Sequence, residues 1–216
     1  LHGTNTCAEV GELLRRLDTA VLITEEGWGA DRGTGKLEAE IAKLPSLHTV
    51  YTPGNFPATG SRPNADGDSD PVIDPDSVAY LAFTSGTTGP PKCVMHSDNT
   101  LMSNPRDMVR DWKLGTDTRI LTLSPLSHHI AWVAVSQWLI CGGRLIIDAP
   151  PPGMNRLDWI VETGASYVMG VPTHAMDILA AQRDAGLPRI GDVEIFYMAG
   201  APIPPVVCEA FIELGI

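Results

Sequence analysis

Nine consecutive residues, Thr84-Ser85-Gly86-Thr87-Thr88-Gly89-Pro90-Pro91-Lys92, concentrate chemistry that the rest of the chain lacks. Glycine permits φ > 0 and lets backbone approach a ligand closely. The hydroxyls of Thr84, Ser85, Thr87 and Thr88 add donors. Successive backbone N–H groups in such a turn form an anion-binding concavity. Two prolines stiffen the exit, and Lys92 supplies one positive charge. The combination suits a phosphate cradle. It is not a Walker loop, because Gly86 and Gly89 are three apart and two prolines separate Gly89 from Lys92. The flanks also read strand–loop–strand, where a Walker loop opens a helix. A plain hairpin turn of Gly, Ser and Thr is the alternative; nine such residues ending in Lys favour the cradle.

The elements around this loop alternate between helix and strand. Ala8 to Leu17 repeats apolar residues at a 3.6-residue period, and Ala20 to Ile23 is a short apolar run suited to a buried strand. Lys36 to Leu44 reads as helix and His48 to Tyr51 as strand. Residues 52–75 are punctuated by Pro and Gly and read as a long flexible loop. Within it Asp66-Gly67-Asp68-Ser69-Asp70 starts like a calcium loop, but Pro71 and Ser77 stand where Gly and Glu are needed. Strands are then expected at Val78–Phe83 and Cys93–His96, and a helix at Asp98–Trp112 with Ser97 as N-cap and a kink or restart at Pro105. Beyond it, strands at Arg119–Leu123, Leu145–Ile147, Tyr167–Met169 and Val193–Met198 alternate with helices at Ile130–Cys141, Leu157–Thr163, Thr173–Ala185 and Pro204–Leu214. The expected fold class is α/β, with alternating β/α units and a largely parallel sheet.

Composition narrows the function. The 216 residues carry 26 Asp+Glu against 15 Lys+Arg, a formal charge of −11, with no basic run. Nucleic-acid binding needs a basic face and is excluded as an expectation. The four cysteines are widely spaced, so neither a disulfide framework nor a zinc site is expected, and reduced thiols point to a cytoplasmic protein. The stretch Ile120–Gly143 lacks charged residues, but its purely apolar part has the length of a buried helix, so no transmembrane segment is expected. Val21–Ile23 runs into Glu25-Glu26-Gly27-Trp28, not G-x-G-x-x-G, which disfavours a Rossmann dehydrogenase.

The segment YLAFTSGTTGPPKCVMHS resembles the phosphate-binding signature of the adenylate-forming (AMP-binding) superfamily, which holds acyl-CoA synthetases, luciferases and peptide-synthetase adenylation domains. Two weaker segments agree in order. Ser124-Pro125-Leu126-Ser127-His128-His129 resembles the Pro-Leu-x-His segment, and Ala199-Gly200-Ala201-Pro202-Ile203 the Gly-Gly-Ala-Pro turn that borders adenine. One position departs: Cys93 follows the motif lysine where the family usually has Gly, and it reads best as a small buried hydrophobe.

The resemblance implies a two-step reaction. A carboxylate attacks the α-phosphorus of ATP, giving acyl-adenylate and pyrophosphate, and a thiol, commonly that of coenzyme A, then takes the acyl group. By resemblance the 84–92 loop holds the β/γ phosphates, Lys92 offsets their charge, and Ser85 is a candidate Mg²⁺ ligand. Gly200, Ala201 and Pro202 border the nucleotide, and His128 lies near the carboxylate, with His129 a weaker candidate. Trp132 and Val133 line the acyl tunnel or belong to plain helix core. Val171-Pro172-Thr173-His174 sits at a strand-to-helix turn, where α/β sheets place ligands. The wording is similar to ligases for medium-chain or alicyclic acids. The alternatives are an adenylation domain loading a carrier protein and a non-catalytic nucleotide-binding module. Residues 1–216 are expected to form an internal part of the large N-terminal domain, without the small C-terminal domain and inactive alone, with exposed apolar patches.

Overall fold

The computed structural model describes residues 1, 3–25, 27–31, 33–56, 73–84 and 91–216. The chain divides into two compact units, Leu1–Val72 and Ile73–Ile216.

In the first unit, helix α1 (Cys7–Arg16) starts at a capping box. Thr6 Oγ1 accepts the Glu9 N–H at 3.3 Å, and Glu9 Oε2 accepts the Thr6 N–H at 2.8 Å. Strands β1 (Val21–Ile23) and β2 (Thr49–Tyr51) pair in parallel, with α2 (Leu37–Ile41) between them in sequence. Cys7, Val10, Leu14, Leu22, Leu37 and Leu44 make the core. Helix α2 is shorter than the expected 36–44, and Lys36 gives it no side-chain cap. Of the expected loop at 52–75, residues 57–72 lie outside the described residues.

The second unit opens with an antiparallel hairpin, β3 (Val78–Phe83) and β4 (Cys93–Ser97), in the register Phe83↔Cys93 and Tyr80↔His96. Helix α3 (Asp98–Asp111) follows without a gap. Ser97 Oγ accepts the Thr100 N–H at 3.3 Å, as its N-cap position predicts. Pro105 does not restart this helix, contrary to expectation: α3 runs through it as one element, with Pro105 and Met108 both buried. The missing N–H costs one helical hydrogen bond. Packing of that buried face outweighs the loss.

The rest is a four-stranded parallel sheet of β5 (Arg119–Thr122), β6 (Arg144–Ile147), β7 (Tyr167–Gly170) and β8 (Ile195–Met198), in the order β6-β5-β7-β8. Helices α4 (His129–Cys141), α5 (Arg156–Thr163) and α6 (Pro172–Asp184) join successive strands, and α7 (Pro205–Glu213) follows β8. Strand period sorts the side chains between two cores. Ile120, Tyr167, Met169, Ile195 and Tyr197 pack with residues of α4, among them Ala134 and Val133. Leu121, Val168, Phe196 and Met198 pack with α5, α6 and α7 through Ile160, Ile178 and Phe211. Each fully buried Leu or Ile contributes roughly 1.5–3 kcal/mol. The expected helix at Ile130–Cys141 ends as foreseen, with Gly142 in the left-handed region at φ 71°. Pro172 and Pro205 occupy first helical positions, where their missing N–H costs nothing. No helix among the described residues is long and apolar enough to cross a membrane.

The strand order has a consequence for function. The chain goes from β5 outward to β6, then returns to lay β7 and β8 on the other side of β5. The reversal falls between β5 and β7. In open α/β sheets, ligands bind outside the carboxyl ends of the strands at such a switch point.

Candidate functional site

Three of the segments singled out in the sequence leave the carboxyl ends of adjacent strands. Ser124–His128 follows β5, Val171–His174 follows β7, and Ala199–Pro202 follows β8. Backbone hydrogen bonds tie their starts together. The Leu123 N–H donates to Met169 O at 2.8 Å, and the Ala199 N–H donates to Gly170 O at 3.2 Å. Gly200 has φ 87°, which an L side chain rarely adopts, and a Cβ added there would meet Val171 Cγ1 at 3.5 Å. Ala201 and Pro202 are exposed at this edge.

The nine-residue loop spans the tip of the β3–β4 hairpin, the strand–loop–strand context read from the sequence. Its neck is closed twice. The Thr84 N–H donates to Lys92 O at 3.0 Å, and the Lys92 N–H donates to Thr84 Oγ1 at 3.0 Å. Thr84, Pro91 and Lys92 are exposed. Ser85, Gly86, Thr87, Thr88, Gly89 and Pro90 lie outside the described residues. Ser85 was the expected Mg²⁺ ligand. Among the described residues, no group of three or more His, Cys, Asp or Glu side chains could hold a metal ion.

His128 is the N-cap of α4, with its N–H donating to Pro125 O at 2.8 Å. His129, the first helical residue, stacks on His96 of β4 with ring centroids 5.0 Å apart and planes 11° apart. Tyr80 of β3 lies 5.7 Å from His129 and 5.4 Å from Trp132. Burial, the facing His96 and the adjacent His128, in that order, hold the His129 imidazole below the usual histidine value. It is therefore neutral at pH 7. Trp132 thus faces the hairpin, whereas Val133 packs into the core beneath the sheet. The sequence did not single out Tyr80 or His96. The period-2 alternation of both strands, placed in hairpin register about the loop, is the signal that pairs them.

His174, one turn into α6, accepts a long 3.5 Å hydrogen bond from the Val171 N–H at Nδ1. Its ring sits by Gly170, where an added Cβ would come within 3.2 Å of Nδ1 and of Leu123 Cδ1. Burial first and the Arg156 guanidinium second lower its pKa, against opposing effects of Asp148 and Asp177. Arg156 Nε pairs with Asp148 Oδ2 at 2.9 Å. A cavity of about 510 Å³ opens between α5 and α6, lined by Asp148, Met154, Arg156, Asp177 and apolar neighbours. It lies off edge strand β6 and collects none of the motif residues, so it is not the site described here.

A 3-methylmercaptopropionyl-CoA ligase of Ruegeria lacuscaerulensis is 29% identical over 156 residues, covering 68% of this chain and 28% of that protein. A medium-chain-fatty-acid–CoA ligase of Ectopseudomonas oleovorans is 32% identical over 119 residues, covering 54% of this chain and 22% of that protein. The matched stretches therefore cover under a third of the length of these two relatives. A crystal structure of a long-chain-fatty-acid-CoA ligase from Archaeoglobus fulgidus superimposes with a TM-score of 0.77 at 17% identity, over 99% of this chain and 43% of that one. It has the same α/β fold. Residues 2–216 match the AMP-binding enzyme family, and the chain belongs to that family.

Proposed function

We propose that the chain is the nucleotide- and acid-binding part of an enzyme that activates a carboxylic acid with ATP and passes the acyl group to coenzyme A. One observation carries this: the segments Ser124–His128, Val171–His174 and Ala199–Pro202 stand side by side at the topological switch point of the sheet. The loop Thr84–Lys92 binds the β and γ phosphates through backbone N–H groups and hydroxyls, and Lys92 offsets charge building on the leaving pyrophosphate. Gly200, Ala201 and Pro202 border the adenine. His128 faces the carboxylate, and Trp132 and His129 border the acyl group. Ser85 would help hold a magnesium ion carried by the nucleotide, which would supply charge neutralisation at the phosphate oxygens.

In the first step a carboxylate oxygen forms a bond to the α-phosphorus. The bond from that phosphorus to the bridging oxygen breaks, and pyrophosphate leaves with its electron pair. In the second step the coenzyme A thiol loses its proton and attacks the acyl carbon, and AMP leaves. The protein holds donor and acceptor in line and keeps phosphate charge compensated. Coenzyme A is taken as the acceptor because the two relatives named above are CoA ligases.

A panel of acyl-sulfamoyl adenosines, stable mimics of the mixed anhydride, tests this by calorimetry. Members carrying an acyl group should bind at least tenfold more tightly than AMP. Equal affinity across the panel and AMP sinks the acid-activation reading. These 216 residues alone should give no ATP–pyrophosphate exchange with any acid; turnover would show that they suffice for catalysis.

A further inference from the structure

Among the stacked rings between the hairpin and α4, Tyr80 and His96 have no part in the chemistry above. They join the two pieces that the proposed reaction must hold in register. The hairpin carries the phosphate loop at its tip, and α4 begins at His128. His129 lies on His96 with planes 11° apart, and Tyr80 touches both His129 and Trp132, one helical turn on. Two rings one turn apart fix the start of a helix in position and in rotation about its axis. A single contact would leave the rotation free.

We infer that Tyr80 and His96 are positioning residues: through His129 they set the orientation of His128 relative to the β3–β4 hairpin. This rests on the functional reading above for what His128 does, but the contact itself needs no nucleotide. Offset stacked rings attract one another. Protonating one ring of the His96–His129 pair keeps an attraction of cation over ring. Protonating both sets like charges 5.0 Å apart and opposes the stack. The titratable groups facing His129 are His96 from β4, the Tyr80 phenol from β3 and His128 from its own turn.

Imidazole ¹H–¹⁵N spectra of the chain, recorded without ligand from pH 5 to 8, test this. The His129 midpoint should lie below the usual value of about 6.5. His96→Phe keeps a ring and removes a charge. It should raise the His129 midpoint and leave the His128 signals in place at pH 7.5. His96→Ala and Tyr80→Ala should shift the His128 signals at pH 7.5 in chains whose circular dichroism matches the parent. A purely structural ring cluster would stabilise the chain without moving His128. Unmoved His128 signals in both alanine variants overturn the proposal. If neither alanine variant folds, the His96→Phe titration decides, and an unchanged His129 midpoint overturns it. A chain that fails to bind adenylate mimics yet passes this titration would defeat the functional reading and leave the positioning contact standing.

Discussion

The parallel sheet and the β3–β4 hairpin sit in one compact unit but are held in opposite ways. All four residues of β7 are buried, whereas no residue of β3 is fully buried. The sheet is covered on two faces, by α4 on one and by α5, α6 and α7 on the other. The hairpin meets α4 through the Tyr80 and His96 rings and leaves Val78, Leu81 and Met95 exposed. The difference separates two tasks. The sheet is a rigid ruler that spaces the segments after β5, β7 and β8. The hairpin is a more exposed arm, continuous with α3 and joined to α4 through a few rings. Apolar residues left open on the hairpin also match the expected exposed patches.

The contrast predicts a graded series of stability losses. Leu121→Ala, in a strand buried on two faces, should cost about 2–5 kcal/mol in urea unfolding. Tyr80→Ala removes one ring from a half-buried cluster and should cost about 1–2 kcal/mol. Its larger signature is a shift of the His128 signals. Gly200→Ala adds a side chain at φ 87° and should cost about 1 kcal/mol. Met95→Ala, on the open face of the hairpin, should change stability by less than about 0.5 kcal/mol. If Met95→Ala matched Leu121→Ala, the two regions would not differ as described.

Acid should act more gently and on the same unit. Folding lowers the pKa of both His129 and His174. A histidine whose folded pKa lies below its unfolded value adds stability that is complete above the unfolded value of about 6.5. As pH falls below that, the unfolded chain takes up protons that the folded chain refuses, and stability declines toward the folded pKa values. Thermal midpoints should therefore fall from pH 7.5 to 5.5. The double variant His129→Phe, His174→Gln should flatten that slope. A parent slope of zero in this window would contradict the neutral, half-buried placement of both rings.

Much of this architecture is visible in residue order. Strands such as Tyr167–Met169 are short apolar runs, and helix limits are marked by Ser97, Gly142 and Pro172. The strand–loop–strand setting of Thr84–Lys92 follows from two apolar runs flanking Gly, Thr and Pro. Strand order is not written locally: that β7 lies beside β5 depends on packing of whole helices. Continuity of α3 through Pro105 was hidden for the same reason, since local stereochemistry argues for a break and burial decides otherwise. The pairing of His129 with His96 and Tyr80 joins residues far apart in sequence. It needs both the hairpin register and the docking of α4, neither of which a motif records. Val133 and Trp132 are neighbours in sequence with opposite destinations, which only helix rotation separates.

The central claim is that the loop closed by Thr84 and Lys92 holds the phosphates of ATP. Calorimetric titration of the chain with ATP and Mg²⁺, beside Lys92→Ala, tests it most directly. The account predicts saturable binding by the parent. The variant should bind at least tenfold more weakly, a loss of about 1.4 kcal/mol or more, with an unchanged thermal midpoint because the lysine is exposed. Equal ATP affinity in the parent and an intact Lys92→Ala chain would contradict it.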